Sequence, residues 1–225
     1  MVLQMLEDAL HTVAETLRLA ASRHRQLDLD PAEFGSGFRI EPALQDEARM
    51  LEVFLYDTLA RGAGYAEIAA RHLPEILEAS IELLEGCSCE TSCTECLNHF
   101  HNQHLQKRLD RHLGAMLLRY AVLGEEAVCS SPGEQAVTLF QLRASLELDG
   151  YRCTALEDDS MPLLVERNGR RVAVGCYPGL INTPKFLHPV ASAVGVNGHV
   201  ALNEYLLRSD LPGAHLKVRQ EFFGS

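Results

Sequence analysis

Cys87, Cys89, Cys93 and Cys96 place four thiols within ten residues, in the spacing C-x-C-x3-C-x2-C. Thiolate sulfur is a soft donor, and four of them close a tetrahedral Zn²⁺ shell with no donor from elsewhere. A shell closed in this way leaves no position for water or substrate. The spacing therefore predicts a structural metal rather than a catalytic one. Four thiolates also hold iron–sulfur clusters, and neighbouring thiols can carry redox chemistry, so both stand as alternatives to zinc. Disulfides fit poorly, because bridges between cysteines so near in sequence are strained. The other three cysteines, Cys129, Cys153 and Cys176, stand alone in settings that suit buried thiols.

Four histidines follow the cluster: His99, His101, His104 and His112. The run from Leu97 reads as a helix continuing to about Val122, on which His101 and His104 share a face at i, i+3. One imidazole could replace a thiolate. The favoured reading makes the histidines surface groups, or groups that hydrogen-bond around an all-thiolate site.

Several elements must bring these residues together. Leu3, Leu6, Leu10, Val13 and Leu17 form a helical stripe within residues 2 to about 25. Residues 35–40 and 50–57 read as strands, the second apolar nearly throughout and so expected to be buried. Gly62 and Gly64 then allow a tight strand-to-helix turn. An anion could sit at that helix start, although the glycine spacing matches no nucleotide-binding motif. Helices over 65–72 and 74–85 follow, with Pro74 in the first turn of the second, and Gly86 delivers the chain to the cysteines.

The composition is that of an ordinary soluble protein of 225 residues, with 47% hydrophobic and 23% charged residues. No apolar run approaches the roughly 18 residues that would span a bilayer. The N-terminus lacks a basic region ahead of an apolar one, so no signal peptide is expected. Clustered free thiols then suggest a reducing cytoplasm. The formal net charge of −11 disfavours tight unaided binding to nucleic acid. Local basic clusters exist at Arg167, Arg170 and Arg171, and at Lys107, Arg108 and Arg111 on the expected His-rich helix. The latter three are the candidate nucleic-acid contacts, against a plain solvated helix face.

The order of Tyr56-Asp57-Thr58, a Gly62-Ala63-Gly64-Tyr65 turn, a helix pair, the four cysteines, and Asn102, His104, Leu109, Asp110 and Arg111 resembles one known family. It is similar to the zinc-binding domain of MrfA-type superfamily 2 DNA helicases, also present in proteins of the DISARM anti-phage system. The resemblance covers about residues 1–123. It implies that Cys87, Cys89, Cys93 and Cys96 are the Zn²⁺ ligands. It also implies a superfamily 2 helicase motor, either a partner subunit or a part of the same polypeptide beyond this sequence, with DNA reached through that complex. Family members commonly carry Pro-Gly-Gly before the Gly-Tyr, where this chain has Leu59-Ala60-Arg61-Gly62.

A second domain is expected after Ser130-Ser131-Pro132-Gly133, dividing the chain into 1–129 and 130–225. Its pattern is a helix over 134–148, a strand over 151–156, and a hairpin of 162–166 and 171–176 turned at Asn168-Gly169. The end, 201–207 and then 215–222, reads as a helix followed by a strand or helix. Residues 130–222 resemble the PD-(D/E)xK nuclease core of the very-short-patch-repair type, with Glu134 matching its helix carboxylate. The other catalytic positions depart from that pattern: Pro162-Leu163 stands for Pro-Asp, and Ala173 to Cys176 for the acidic residue and lysine. Such nucleases need carboxylates to hold divalent ions. The resemblance therefore implies a nuclease-like domain without its chemistry.

The expected fold class is α+β: a helical zinc domain with a small sheet, then an α/β nuclease-like domain. The expected function is that of a non-catalytic accessory to a DNA helicase, in anti-phage defence or DNA repair. The rival is a metal-dependent nuclease using Glu134 with Asp158 or Asp159. No P-loop is present for ATP chemistry.

Overall fold

The computed structural model describes residues 2–42, 49–156, 158, 160–181 and 195–223. They form an α+β protein of two compact units, Met1–Glu126 and Ala127–Ser225.

In the first unit a long helix, α1 (Val2–Ser22), runs against a hairpin of β1 (Phe34–Pro42) and β2 (Arg49–Asp57), followed by α2 (Tyr65–Arg71), α3 (Leu73–Glu85) and α4 (Arg111–Leu123). The apolar stripe of α1 extends beyond what a surface helix needs, and Met5, Leu10, Val13 and Leu19 are all buried. Val13 and Leu19 pack with Leu84, Leu97, Leu109 and Leu118 beside the cysteines, and Ala20 and Ala21 pack with Phe34, Ala69 and Ile76 toward the hairpin. α1 stops at Ser22, short of the expected residue 25. The backbone folds back there, with Leu29 N–H donating to the Ser22 carbonyl and Asp28 at φ 45°.

β1 and β2 are antiparallel, with Phe34 paired to Asp57 and Phe38 to Val53. The expectation of a buried second strand is corrected here. A two-stranded sheet has one face for α1 and one for solvent, so Met50, Phe54 and Tyr56 on β2 are exposed.

The His-rich helix is also corrected. Residues 97–110 carry only two short 3₁₀ turns, Phe100–Asn102 and Gln106–Arg108. Side chains here compete for the backbone groups that a helix would use. His99 Nδ1 accepts from His101 N–H, and Asn102 Oδ1 accepts from His99 N–H. Asp110 then accepts from the N–H groups of His112 and Leu113, which fixes the start of α4 at Arg111. His101 and His104 therefore share no helix face.

The second unit begins with α5 (Pro132–Thr138) and α6 (Phe140–Leu148), two helices where one was expected over 134–148. They break at Leu139, whose side chain is buried in the core below. A four-stranded sheet follows in the order β3-β4-β5-β6, formed by Arg152–Ala155, Leu163–Arg167, Arg170–Tyr177 and Gly198–Asn203. β3, β4 and β5 form an antiparallel meander, and β6 joins β5 in parallel. The β4–β5 turn takes φ 52° at Asn168 and 77° at Gly169, the paired positive values a two-residue hairpin requires. The C-terminal reading is corrected: residues 198–203 are strand, and Asn203 caps α7 (Glu204–Ser209), which leads into α8 (Leu211–Phe223). One core holds Leu142, Leu146, Val165, Val174, Cys176, Leu202 and Val218.

Candidate metal centre

The four cysteines occupy the loop between α3 and the first 3₁₀ turn. Gly86 ends α3 with its N–H on the Glu82 carbonyl, so close that an added Cβ would lie 2.8 Å from that oxygen. The Cys93 carbonyl then accepts from the N–H groups of Cys96, Leu97 and Asn98, a tight knuckle that folds the last two cysteines together. The Cys93 N–H points at Cys96 Sγ, 3.3 Å away. The hydrophobic anchors are Cys96 and Leu97 themselves, both buried against Leu84 and Leu109.

Sulfur–sulfur distances are 3.6 Å for Cys87–Cys93, 3.6 Å for Cys89–Cys96 and 3.8 Å for Cys93–Cys96. All four sulfurs lie within 4.8 Å of one another. A tetrahedron of Zn–S bonds near 2.3 Å has edges of about 3.8 Å, so the donor set fits Zn²⁺. Among the described residues no histidine nitrogen joins this group. His99 instead donates toward Glu15, and His101 faces Asp30 at 3.4 Å. The shell is all thiolate.

Without a cation two of the four thiols, Cys89 and Cys96, are held against ionisation, while Cys87 is not. The Cys89 backbone N–H is the largest influence holding Cys87 down, to about 7. Burial pushes Cys89 and Cys96 up. A divalent metal reverses this, since a coordinating thiol is deprotonated outright. The ion would then cross-link α3 to the loop that leads into α4 and contribute directly to folding.

Arg111 ties the loop down from outside. Its Nε donates to the Cys89 carbonyl at 2.7 Å and its guanidinium to the Leu84 carbonyl at 3.2 Å, while its own N–H bonds the Thr91 carbonyl at 2.8 Å. Arg108 is likewise engaged. It donates to Asp8 at 2.8 Å, to Glu7 at 2.9 Å and to His11 Nε2 at 3.0 Å, so it clamps the post-cysteine segment to α1. The basic helix face expected from Lys107, Arg108 and Arg111 is thus corrected. The first two lie in a 3₁₀ turn, the third opens α4, and of the three Lys107 is the exposed one.

Glu15 is the residue that sequence reasoning missed. It is buried, yet it accepts from Asn102 Nδ2 at 3.0 Å, His99 Nε2 at 3.0 Å and Ser36 Oγ at 3.2 Å. Burial opposes its charge, but Asn102, Arg18 and His99 outweigh it and hold the carboxyl below its ordinary value. The network joins α1, the hairpin and the segment after the cysteines.

At the glycine turn, the anion reading resolves into the chain's own carboxylate. Asp57 accepts from Ala63 and Gly64 through Oδ2, at 2.9 and 2.8 Å, and from Ala66 through Oδ1 at 2.7 Å. Burial works against that charge, and the N–H donors still keep the carboxyl low.

Residues 13–97 match the MrfA Zn-binding domain family. The match runs from the middle of α1 through the hairpin, α2 and α3 to the residue after Cys96. The likeness read from motif order over 1–123 is borne out there, and Zn²⁺ is the metal of the four-cysteine site. The chain is also 61% identical over 219 residues to the Druantia protein DruE of Escherichia coli (strain UMEA 4076-1). That alignment takes in 97% of this chain and 12% of the relative, so the chain spans about an eighth of that protein's length. No solved structure matches the chain.

Two of the nuclease candidates in the second unit, Glu134 and Asp158, hydrogen-bond to groups next to them in the chain. Glu134 Oε2 accepts from the Ser131 N–H and hydroxyl, both at 2.8 Å, as a capping box for α5, and Ser131 holds its carboxyl low. Asp158 accepts from the N–H groups of Ser160 and Met161 at 2.9 and 2.7 Å. Asp159 lies outside the described residues. On β5, Val174 and Cys176 are buried, and a Cβ at Gly175 would fall 2.1 Å from the Ser160 carbonyl oxygen.

Proposed function

We propose that this chain is a non-catalytic accessory or scaffold part of a DNA-helicase system, braced by structural zinc and acting in anti-phage defence or DNA repair. The observation that carries the reading is the closed four-sulfur shell within the stretch matching the MrfA Zn-binding domain. The similarity to a Druantia protein favours the defence setting. A closed shell holds structure and leaves no coordination site for a reacting group.

The partner in this reading is a superfamily 2 DNA helicase subunit, with DNA engaged through the complex and the whole acting in the cytoplasm. The charge of −11 supports indirect engagement, since phosphate is repelled overall. The commitments of Arg108 and Arg111 to Asp8, Glu7 and backbone carbonyls support it too, because those cations already have partners. Glu134 and Asp158 are occupied by backbone and hydroxyl donors, which favours the non-catalytic reading over the nuclease rival.

The test is affinity purification of the tagged chain from its native host, with mass spectrometry of what co-elutes. A helicase subunit recovered with the wild-type chain, and lost with Cys93→Ser, is the expected result. Recovery of the chain without a helicase, or magnesium-dependent cleavage of DNA by the pure protein, overturns the proposal.

A further inference from the structure

The outer face of the β1–β2 hairpin is built unlike the inner one. Register sets Gly35 opposite Tyr56, Gly37 opposite Phe54, Arg39 opposite Glu52 and Glu41 opposite Met50, and strand alternation puts all eight on the side away from α1. The two rings lie down over the glycines instead of standing off the sheet. A Cβ at Gly35 would sit 2.2 Å from the Tyr56 ring, and one at Gly37 would sit 2.9 Å from the Phe54 ring. Backbone therefore seals one face of each ring and leaves the other open, with Phe54 42% and Tyr56 51% exposed. The ring centres are 6.3 Å apart with planes inclined at 35°, which makes a shallow platform rather than a pocket.

The platform has a charged border. Arg39 bridges Glu52 at 2.6 Å and Glu41 at 3.5 Å, so two carboxylates share one guanidinium. The face carries a net negative charge on a chain that is itself at −11. Open aromatic faces attract cations through their quadrupole, and a guanidinium stacks flat on a ring while its N–H groups bond carboxylates in plane. An ammonium is compact and strongly hydrated, and exploits such a surface less well. Nucleobases also stack on aromatic rings, but their phosphates would meet Glu41 and Glu52, and Arg39, the cation among the described residues of this face, is already bridged to both.

We propose that this face docks an arginine-rich segment of a partner protein, with guanidinium planes on Phe54 and Tyr56 and N–H groups turned toward Glu41 and Glu52. The proposal needs only the hairpin, and stands whether or not the helicase reading does. The test is fluorescence polarisation of the zinc-loaded chain with three labelled probes: an alternating arginine–glycine peptide, the matching lysine–glycine peptide, and an oligomer of deoxythymidine. The arginine peptide should bind several-fold more tightly than the lysine peptide, and the oligomer should not compete. Phe54→Ala with Tyr56→Ala should weaken the arginine peptide by roughly ten-fold, from the loss of two stacking faces. Glu41→Gln with Glu52→Gln leaves the rings in place and should also weaken it, which keeps the test decisive if the ring variant misfolds. Equal binding of both peptides, no binding, tight binding of the oligomer, or self-association of the chain through the same face overturns the proposal.

Discussion

Arg111 Nε donates to the Cys89 carbonyl at 2.7 Å, so the first residue of α4 holds the middle of the metal loop. Together with its bond to the Leu84 carbonyl it joins α4, which carries no metal ligand, to the cysteine loop and to the end of α3. Arg111→Ala should cost about 1.5–3 kcal/mol, the range for a charged hydrogen bond lost to a backbone acceptor, and should speed zinc release to a chelator. Lys107→Ala, in the preceding 3₁₀ turn and exposed, should change neither. Chelator-competition kinetics with thermal melts check both, and an unaltered Arg111→Ala protein would refute the tether.

Zinc itself should be present at about one ion per chain and should be part of the fold. Cys93→Ser removes a ligand and also disturbs the sulfur that approaches both Cys87 and Cys96. Hydrogen exchange should then accelerate across α3 and α4, while β4 and β5, whose core contains no metal ligand, keep their protection. A brown iron chromophore, or elemental analysis without zinc, would contradict the assignment.

Acid should weaken the first unit ahead of the second. His11 accepts from Arg108 through Nε2, and burial and that arginine both lower its pKa. His99 is lowered by burial although Glu15 pulls the other way. A group whose folded pKa is depressed contributes stability that is complete above its unfolded value, near 6.5 for histidine, and is lost as pH falls through the folded value. Glu15, also depressed, extends the loss to lower pH. Denaturant midpoints should hold between about pH 7 and 8 and decline below about 6.5, with a shallower decline in His11→Gln.

Much of this was written in the sequence because it is local. Cysteine spacing specifies a tetrahedral shell, Pro74 and Gly86 bracket a helix, and Asn168-Gly169 specifies a turn; each depends on a few neighbouring residues. What was not legible is non-local. Glu15 looks like any polar position on a helix, and its partners Asn102 and His99 lie 87 and 84 residues away. The engagement of Arg108 was hidden for the same reason, since its acidic partners come from α1. The strand over 50–57 carried the apolar content of a buried strand, but its Phe54 and Tyr56 rings are shielded by glycines on the neighbouring strand and not by a second layer.

Gly175 has no space for a side chain. It stands on β5 where the nuclease resemblance would need chemistry, and the Ser160 carbonyl oxygen occupies the place of its missing side chain, 2.1 Å from an ideal Cβ. That oxygen belongs to backbone, which cannot rotate away as a side-chain tip would. The loop over it is pinned by Asp158, which bonds Ser160 and Met161, and by Met161, which is fully buried beside Ala173. Gly175→Ala should therefore destabilise the second unit by about 1–3 kcal/mol, the usual range for overpacking. Gly175→Asp should do more harm and should not create magnesium-dependent cleavage, because the site has no room for a metal ion between strand and loop. Chemical denaturation with a supercoiled-plasmid assay tests both points. A stable Gly175→Asp protein that nicks DNA would show that the loop lifts away and that β5 stands where a nuclease carries its acidic residue.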